Sequence, residues 1–164
     1  MIQIKDKNYL NIVNHILEND NFRKIDNIEH HGTSRLNHSL RVSYYSYKIA
    51  KLLKLDYIET ATGGLLHDFF ISDEDRNIID RFVSTFTHPK LAVATTMKYF
   101  DITKKEENII HSHMFPIYFS LPKYTEAWIV SIVDKIVGSY EFSLKYKYKL
   151  AYFVNTYLFL FLNR

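Results

Sequence analysis

The chain has 164 residues, a formal net charge of +3, 47% hydrophobic and 24% charged residues, four glycines, three prolines and no cysteine. That length suits one domain with a core of its own, and the composition excludes a disordered chain and leaves little room for turn-dense β architecture. Without cysteine there is no disulfide framework or thiolate site, so any metal must be held by nitrogen and oxygen, and the small, dispersed charge suits an anionic small ligand but is too weak to indicate nucleic acid.

The opening "MIQIKDKNYL" has no basic segment followed by an apolar core, so no signal peptide is expected. Residues 8–19 read as a first helix, and 19–35 as a polar, irregular connection. From Leu36 to Lys54 the apolar positions Val42, Tyr45, Ile49 and Leu52 or Leu53 recur at helical spacing and predict an amphipathic helix. Asp56 to Phe69 predicts a second core helix, with Asp56 as its N-cap. Gly63 and Gly64 weaken that helix and make sense where another backbone passes close by.

The stretch "ISDEDRNIIDRFVSTF", 71–86, reads as a mobile connection. Thr87-His88-Pro89 looks like a helix start, with Pro89 in the first turn and the helix running to about Phe100. Thr103 and Glu106 form a capping-box pattern, opening a helix that continues to about Met114. "TEAWIVSIVDKIVGSYEF" predicts a long buried helix, and 145–161 a closing one. The apolar tail "AYFVNTYLFLFL" is interrupted by Asn155 and too short to span a bilayer, so a soluble cytoplasmic protein without a membrane partner is expected. No segment alternates with period two, and the fold class is all-α.

Polar groups stand where this pattern demands burial or a helix terminus. His67 and Asp68 end the apolar run "GGLLHDFF", His38 lies four residues before Val42, and Asp134 sits inside "WIVSIVDKIVG". His88 is placed at a helix start and His113 at a helix end before Phe115-Pro116. Singly, each has an ordinary explanation as a core histidine, a buried acceptor or a cap. Together they form an imidazole and carboxylate set suited to first-row divalent metals, contributed by separate helices as in dinuclear helical bundles.

At these residues the chain resembles the HD superfamily of metal-dependent phosphohydrolases. "SRLNHSLRV" carries the first His, "GGLLHDFF" the doublet and "IVSIVDKIVGSYE" the distal Asp, while "THPKLA" and "IIHSHMFP" match the two further histidines of the dinuclear branch. The resemblance covers about residues 28–142, and is similar to the bacterial branch that cleaves dinucleoside tetraphosphates, which also has an Arg three residues before its first His, here Arg35. That branch follows its fourth His with a Thr-containing signature, where this chain has Met114-Phe115-Pro116.

The resemblance implies a single HD-domain bundle over 1–164, with a metal site in its core. It implies two divalent metal ions, iron or manganese foremost, with zinc, nickel, cobalt or magnesium as alternatives. His38, His67, Asp68 and Asp134 would hold one, and Asp68 would bridge to a second completed by His88 and His113. His111 competes for the last role, and the resemblance favours His113 because the family places that His just before the helix breaks. The implied reaction is hydrolysis of a phosphoester or phosphoanhydride of a nucleotide or other small phosphorylated metabolite by a metal-bridging hydroxide. Arg35 and Lys135 are the candidate cations for phosphate oxygens, and His31 could line the pocket or assist proton transfer. A di-iron oxygenase and a non-catalytic, metal-containing nucleotide-binding module are the alternative readings, and a homodimer is left open.

Overall fold

Helix α1 (Lys7–Leu17) starts where the Asp6 carboxylate accepts the N–H of Tyr9, and it buries Tyr9, Val13 and Ile16 at successive turns. The computed structural model describes residues 4–30, 32–70 and 78–162, without the side chains of residues 30, 78–86 and 154–162. The described residues of the segment expected to be an irregular connection form short regular elements. Asn19 caps the short helix α2 (Asp20–Arg23), a 3₁₀ turn follows over Lys24–Asn27, and β1 (Glu29–His30) pairs antiparallel with β2 (Thr33–Ser34). Gly32 makes the reversal at φ +92°, where a Cβ is poorly tolerated. Two-residue strands lie below the length at which a periodic pattern can be read.

Helix α3 (Arg35–Leu52), capped by Ser34, corrects the sequence expectation in its buried face. Of the anticipated stripe only Val42 is buried; Tyr45, Ile49, Leu52 and Leu53 are exposed. The face that goes inside carries Leu36, Ser39, Leu40, Ser43, Ser46, Tyr47 and Ala50. Small serines let α4 (Tyr57–Leu66) lie against α3 at close range. A Cβ added at Gly64 would stand 3.1 Å from the Ser43 Cα. The Ser43 hydroxyl donates to the Ala61 carbonyl at 2.6 Å and accepts from the Tyr9 hydroxyl at 2.8 Å, so α1, α3 and α4 share one buried polar link. A hydropathy pattern scores these serines as polar and misses the face.

Asp56 caps α4 as expected, accepting the Glu59 N–H. Gly63 faces α6 (Lys104–Ser112), which opens with the anticipated reciprocal capping box of Thr103 and Glu106. Between them runs α5 (Ile78–Tyr99), longer than predicted: residues 78–86 belong to it, Pro89 lies within it rather than in its first turn, and only 71–77 of the expected mobile stretch fall outside the described residues. A proline forfeits one i→i−4 bond, which its neighbours must outweigh.

The two C-terminal segments expected as separate helices are one, α7 (Thr125–Leu162), 38 residues and about 57 Å long. Its first four turns are apolar over most of their circumference but not buried around it. Ala127, Val130, Val133 and Val137 face the core, whereas Trp128, Ile132, Ile136 and Tyr140 form an exposed stripe. No helix among the described residues is long and apolar enough to cross a membrane. The core is a cluster that includes Tyr9, Phe22, Tyr47, Leu65, Leu66 and Phe69, with Tyr9 and Tyr47 in a tilted ring contact and Phe22 edge-on to Phe69. Each such side chain contributes roughly 1.5–3 kcal/mol. Exposed ion pairs such as Lys104–Glu107 contribute roughly 0–1 kcal/mol, so packing sets the frame.

Candidate metal centre

His67 and His113 are the residues that immediately follow α4 and α6. In each, the Nδ1–H donates back to the carbonyl three residues earlier: His67 to Gly64 at 2.8 Å and His113 to Ile110 at 2.7 Å. This fixes the tautomer and leaves both Nε2 atoms as acceptors turned inward. His67 is fully buried and its Nε2 has no hydrogen-bond partner. An orphaned buried acceptor costs on the order of 1–3 kcal/mol, which a cation in front of it would cancel.

Facing these two rings is Asp68, whose oxygens point to different neighbours. Oδ2 lies 3.8 Å from the His67 Nε2; Oδ1 lies 3.6 Å from the His88 Nε2 and 3.7 Å from the His113 Nε2. From α7, Asp134 places Oδ1 3.0 Å from the Nε2 of His38 and 3.6 Å from that of His67. His88, on α5, brings its Nε2 to 3.1 Å from that of His113. Donors bound to one ion at about 2.0–2.2 Å stand about 2.8–3.6 Å apart at tetrahedral or octahedral angles. Three overlapping triplets of ligand atoms, each within 4.8 Å, arise here: His38, His67 and Asp68; His67, His113 and Asp134; Asp68, His88 and His113. The donor set and its spacing fit divalent metal.

Electrostatics reinforce this. Burial, aided by the neighbouring His67, pushes the His113 imidazole down to about 3, so it is neutral and its Nε2 lone pair is available. Burial works against charge on Asp134 too, but the hydrogen bond from the His38 imidazole outweighs it and holds the carboxyl well below its usual range. At His38 burial is likewise overcome, by the carboxylates of Asp134 and Glu141, and the ring is pushed up to about 10 in the metal-free chain.

The remaining sequence candidates fall as follows. His111 is not with the cluster: its Nδ1 pairs with the Ser120 hydroxyl at 2.8 Å. Arg35 is buried, its Nη1–H donating to the Phe70 carbonyl at 2.6 Å and its guanidinium lying 3.9 Å over the Phe70 ring. That ring stacks on His88, and the Arg35 Nε has no hydrogen-bond partner. Lys135 directs its ammonium at the His113 carbonyl at 2.8 Å and at the carbonyl and hydroxyl of Ser131, both at 3.0 Å, so its three protons meet protein acceptors. His31 lies outside the described residues. Sequence reading missed Glu141 and Arg41. The Glu141 carboxylate receives the His38 Nδ1–H at 2.8 Å and an Arg41 N–H at 2.5 Å. The available signal was spacing: Glu141 stands two turns after Asp134, on the same face of α7.

The sequence profile described as "HD domain" matches residues 35–138. The chain belongs to the HD-domain family. That family consists mostly of metal-dependent phosphohydrolases, which supports a hydrolase in general, and the buried His and Asp groups are suited to divalent metal. No curated protein and no solved structure matches the chain.

Proposed function

We propose that the protein is a dinuclear metal-dependent phosphohydrolase acting on a nucleotide or another small phosphorylated metabolite. The observation that carries this reading is the divided carboxylate of Asp68, one oxygen toward His67 and the other toward His88 and His113. His38, His67, Asp68 and Asp134 would hold one ion; Asp68, His88 and His113 would hold the other. Iron or manganese suits this mixed imidazole and carboxylate set. When bound, two such ions would supply an activated water at neutral pH and neutralise phosphoryl charge, so no side-chain nucleophile would be required.

The chain's own part is to hold the donors in place and to receive the phosphate. Arg35 is the cation that would receive it. Its guanidinium lies over the same Phe70 ring that stacks on His88, and a planar guanidinium offers several donors, of which the Nε is unspent. Lys135 would support the site indirectly, by holding the carbonyl of His113. The test is release of phosphate by metal-loaded protein across a panel of mononucleotides, dinucleoside polyphosphates and simple phosphate esters. Turnover of at least one that depends on metal, and fails in Asp68→Ala, is expected. Metal-loaded protein that hydrolyses none of them, or that consumes oxygen with an uncharged substrate, would overturn the reading.

A further inference from the structure

Four histidines of the cluster present Nε2 inward, and in His38, His67 and His113 the Nδ1–H is held from behind. His67 and His113 use the carbonyl three residues back, which is open to them because they follow the last residue of a helix. His38 has no such recourse. It is the fourth residue of α3, inside a continuous helix whose carbonyls bond along the axis. Its Nδ1 turns instead across the core to Glu141 of α7, at 2.8 Å.

We infer that Glu141 is a positioning residue of the metal centre: it fixes the tautomer and orientation of His38, and Arg41 fixes Glu141. The inference rests on the reading of the cluster as a metal site. The geometry is a closed circuit between two helices. His38 and Arg41 are one turn apart on α3; Asp134 and Glu141 are two turns, about 10.5 Å, apart on α7. Asp134 addresses one nitrogen of the imidazole, at 3.0 Å, and Glu141 the other, so α7 grips the ring from both sides. The side chain of Glu141 is 2% exposed, too deep for an uncompensated carboxylate. Arg41 supplies that compensation by donating to Oε1 at 2.5 Å, leaving Oε2 to the ring. A buried carboxylate behind a ligating imidazole raises the basicity of the ligand and restricts its rotation. Glu141 lies beyond the stretch matched by the family profile, which ends at residue 138.

The experiment uses the full chain, stripped of metal and titrated with cobalt(II), whose visible absorption reports ligand geometry. Wild type, Glu141→Gln and Glu141→Ala are compared for cobalt affinity, absorption spectrum and the rise in Tm that cobalt brings. Glu141→Ala is expected to bind about 10–100-fold more weakly, with an altered spectrum and a smaller rise in Tm. Glu141→Gln is expected to fall between, because its single amide oxygen can receive the His38 Nδ1–H only by turning the amide N–H₂ toward Arg41. Should the alanine variant fail to fold, the isosteric glutamine variant still decides: weaker cobalt binding with a changed spectrum supports the inference. Both variants matching wild type in affinity and spectrum, with at most a lower metal-free Tm, would make Glu141 merely structural and overturn it. Wild type that takes up no cobalt would instead defeat the underlying reading of the cluster.

Discussion

The rings of His67 and His113 meet edge to face with centroids 4.8 Å apart, although 46 residues separate them in the chain. Each arrives by the same device, an imidazole just past a helix end that bonds the carbonyl three residues before it. His111, two residues from His113, lacks that position and pairs with Ser120. His113→Ala is therefore expected to remove metal, about one ion per chain if the site is dinuclear, and His111→Ala to retain the full complement. Metal analysis of both variants checks this, and the reverse pattern would move the role to His111.

Asp68 is the residue whose loss should be felt most widely, because each of its oxygens faces a different set of imidazoles. Asp68→Ala should lower metal content further than alanine at any single histidine of the cluster, and should abolish turnover. Retention of wild-type metal content and activity in this variant would show that the carboxylate does not join the two halves of the site.

His38 gives the pH dependence. In the metal-free chain burial opposes its charge, but Asp134 and Glu141 prevail and its pKa rises to about 10 from an ordinary value of 6.5. A raised pKa means stability that is complete below the unfolded value and lost as pH climbs through the folded one. The His38 contribution to metal-free stability should thus fade between roughly pH 6.5 and 10. Metal must displace the Nε2 proton, so apparent metal affinity should run the opposite way, rising with pH across the same window. His113, pushed down to about 3 by burial, releases no proton at neutral pH. Calorimetric titration in buffers of different ionisation enthalpy counts the protons. Release of none at pH 7, with affinity independent of pH, would contradict this arrangement of charges.

Gly63 tests the frame beneath the site. A Cβ there would stand 2.8 Å from the Ile109 Cγ2 and 3.0 Å from its Cβ, atoms close to the backbone that cannot swing aside. Alanine improves helix propensity by about 0.8–1 kcal/mol. Overpacking a tight core costs about 1–3 kcal/mol, so the clash should win or at best tie. Gly63→Ala is expected to lower the unfolding midpoint in urea, while a raised midpoint would mean that α4 and α6 are free to separate.

Much of this site was legible in the sequence because its chemistry is carried by residue types that stand out against apolar helices. His67 and Asp68 interrupt "GGLLHDFF", and Asp134 interrupts "WIVSIVDKIVG". The capping residues Asp56 and Thr103 were equally plain, since a cap is a local interaction between residues three apart. What stayed hidden depends on partners distant in the chain. The buried face of α3 is built on Ser39, Ser43 and Ser46, whose value lies in how closely α4 can approach. The single span of α7 and the exposure of its Trp128, Ile132, Ile136 and Tyr140 follow from how many neighbours surround it, which hydropathy alone does not give. The role of Glu141 rests on His38, 103 residues earlier in the chain.

The central claim is that His38, His67, Asp68, His88, His113 and Asp134 together hold metal, and elemental analysis of the chain purified without chelator tests it most directly. The account predicts close to two first-row transition-metal ions per chain, or their uptake on incubation with iron or manganese, and their loss in Asp68→Ala. No more than trace metal in the purified protein, with none regained on that incubation, would contradict it.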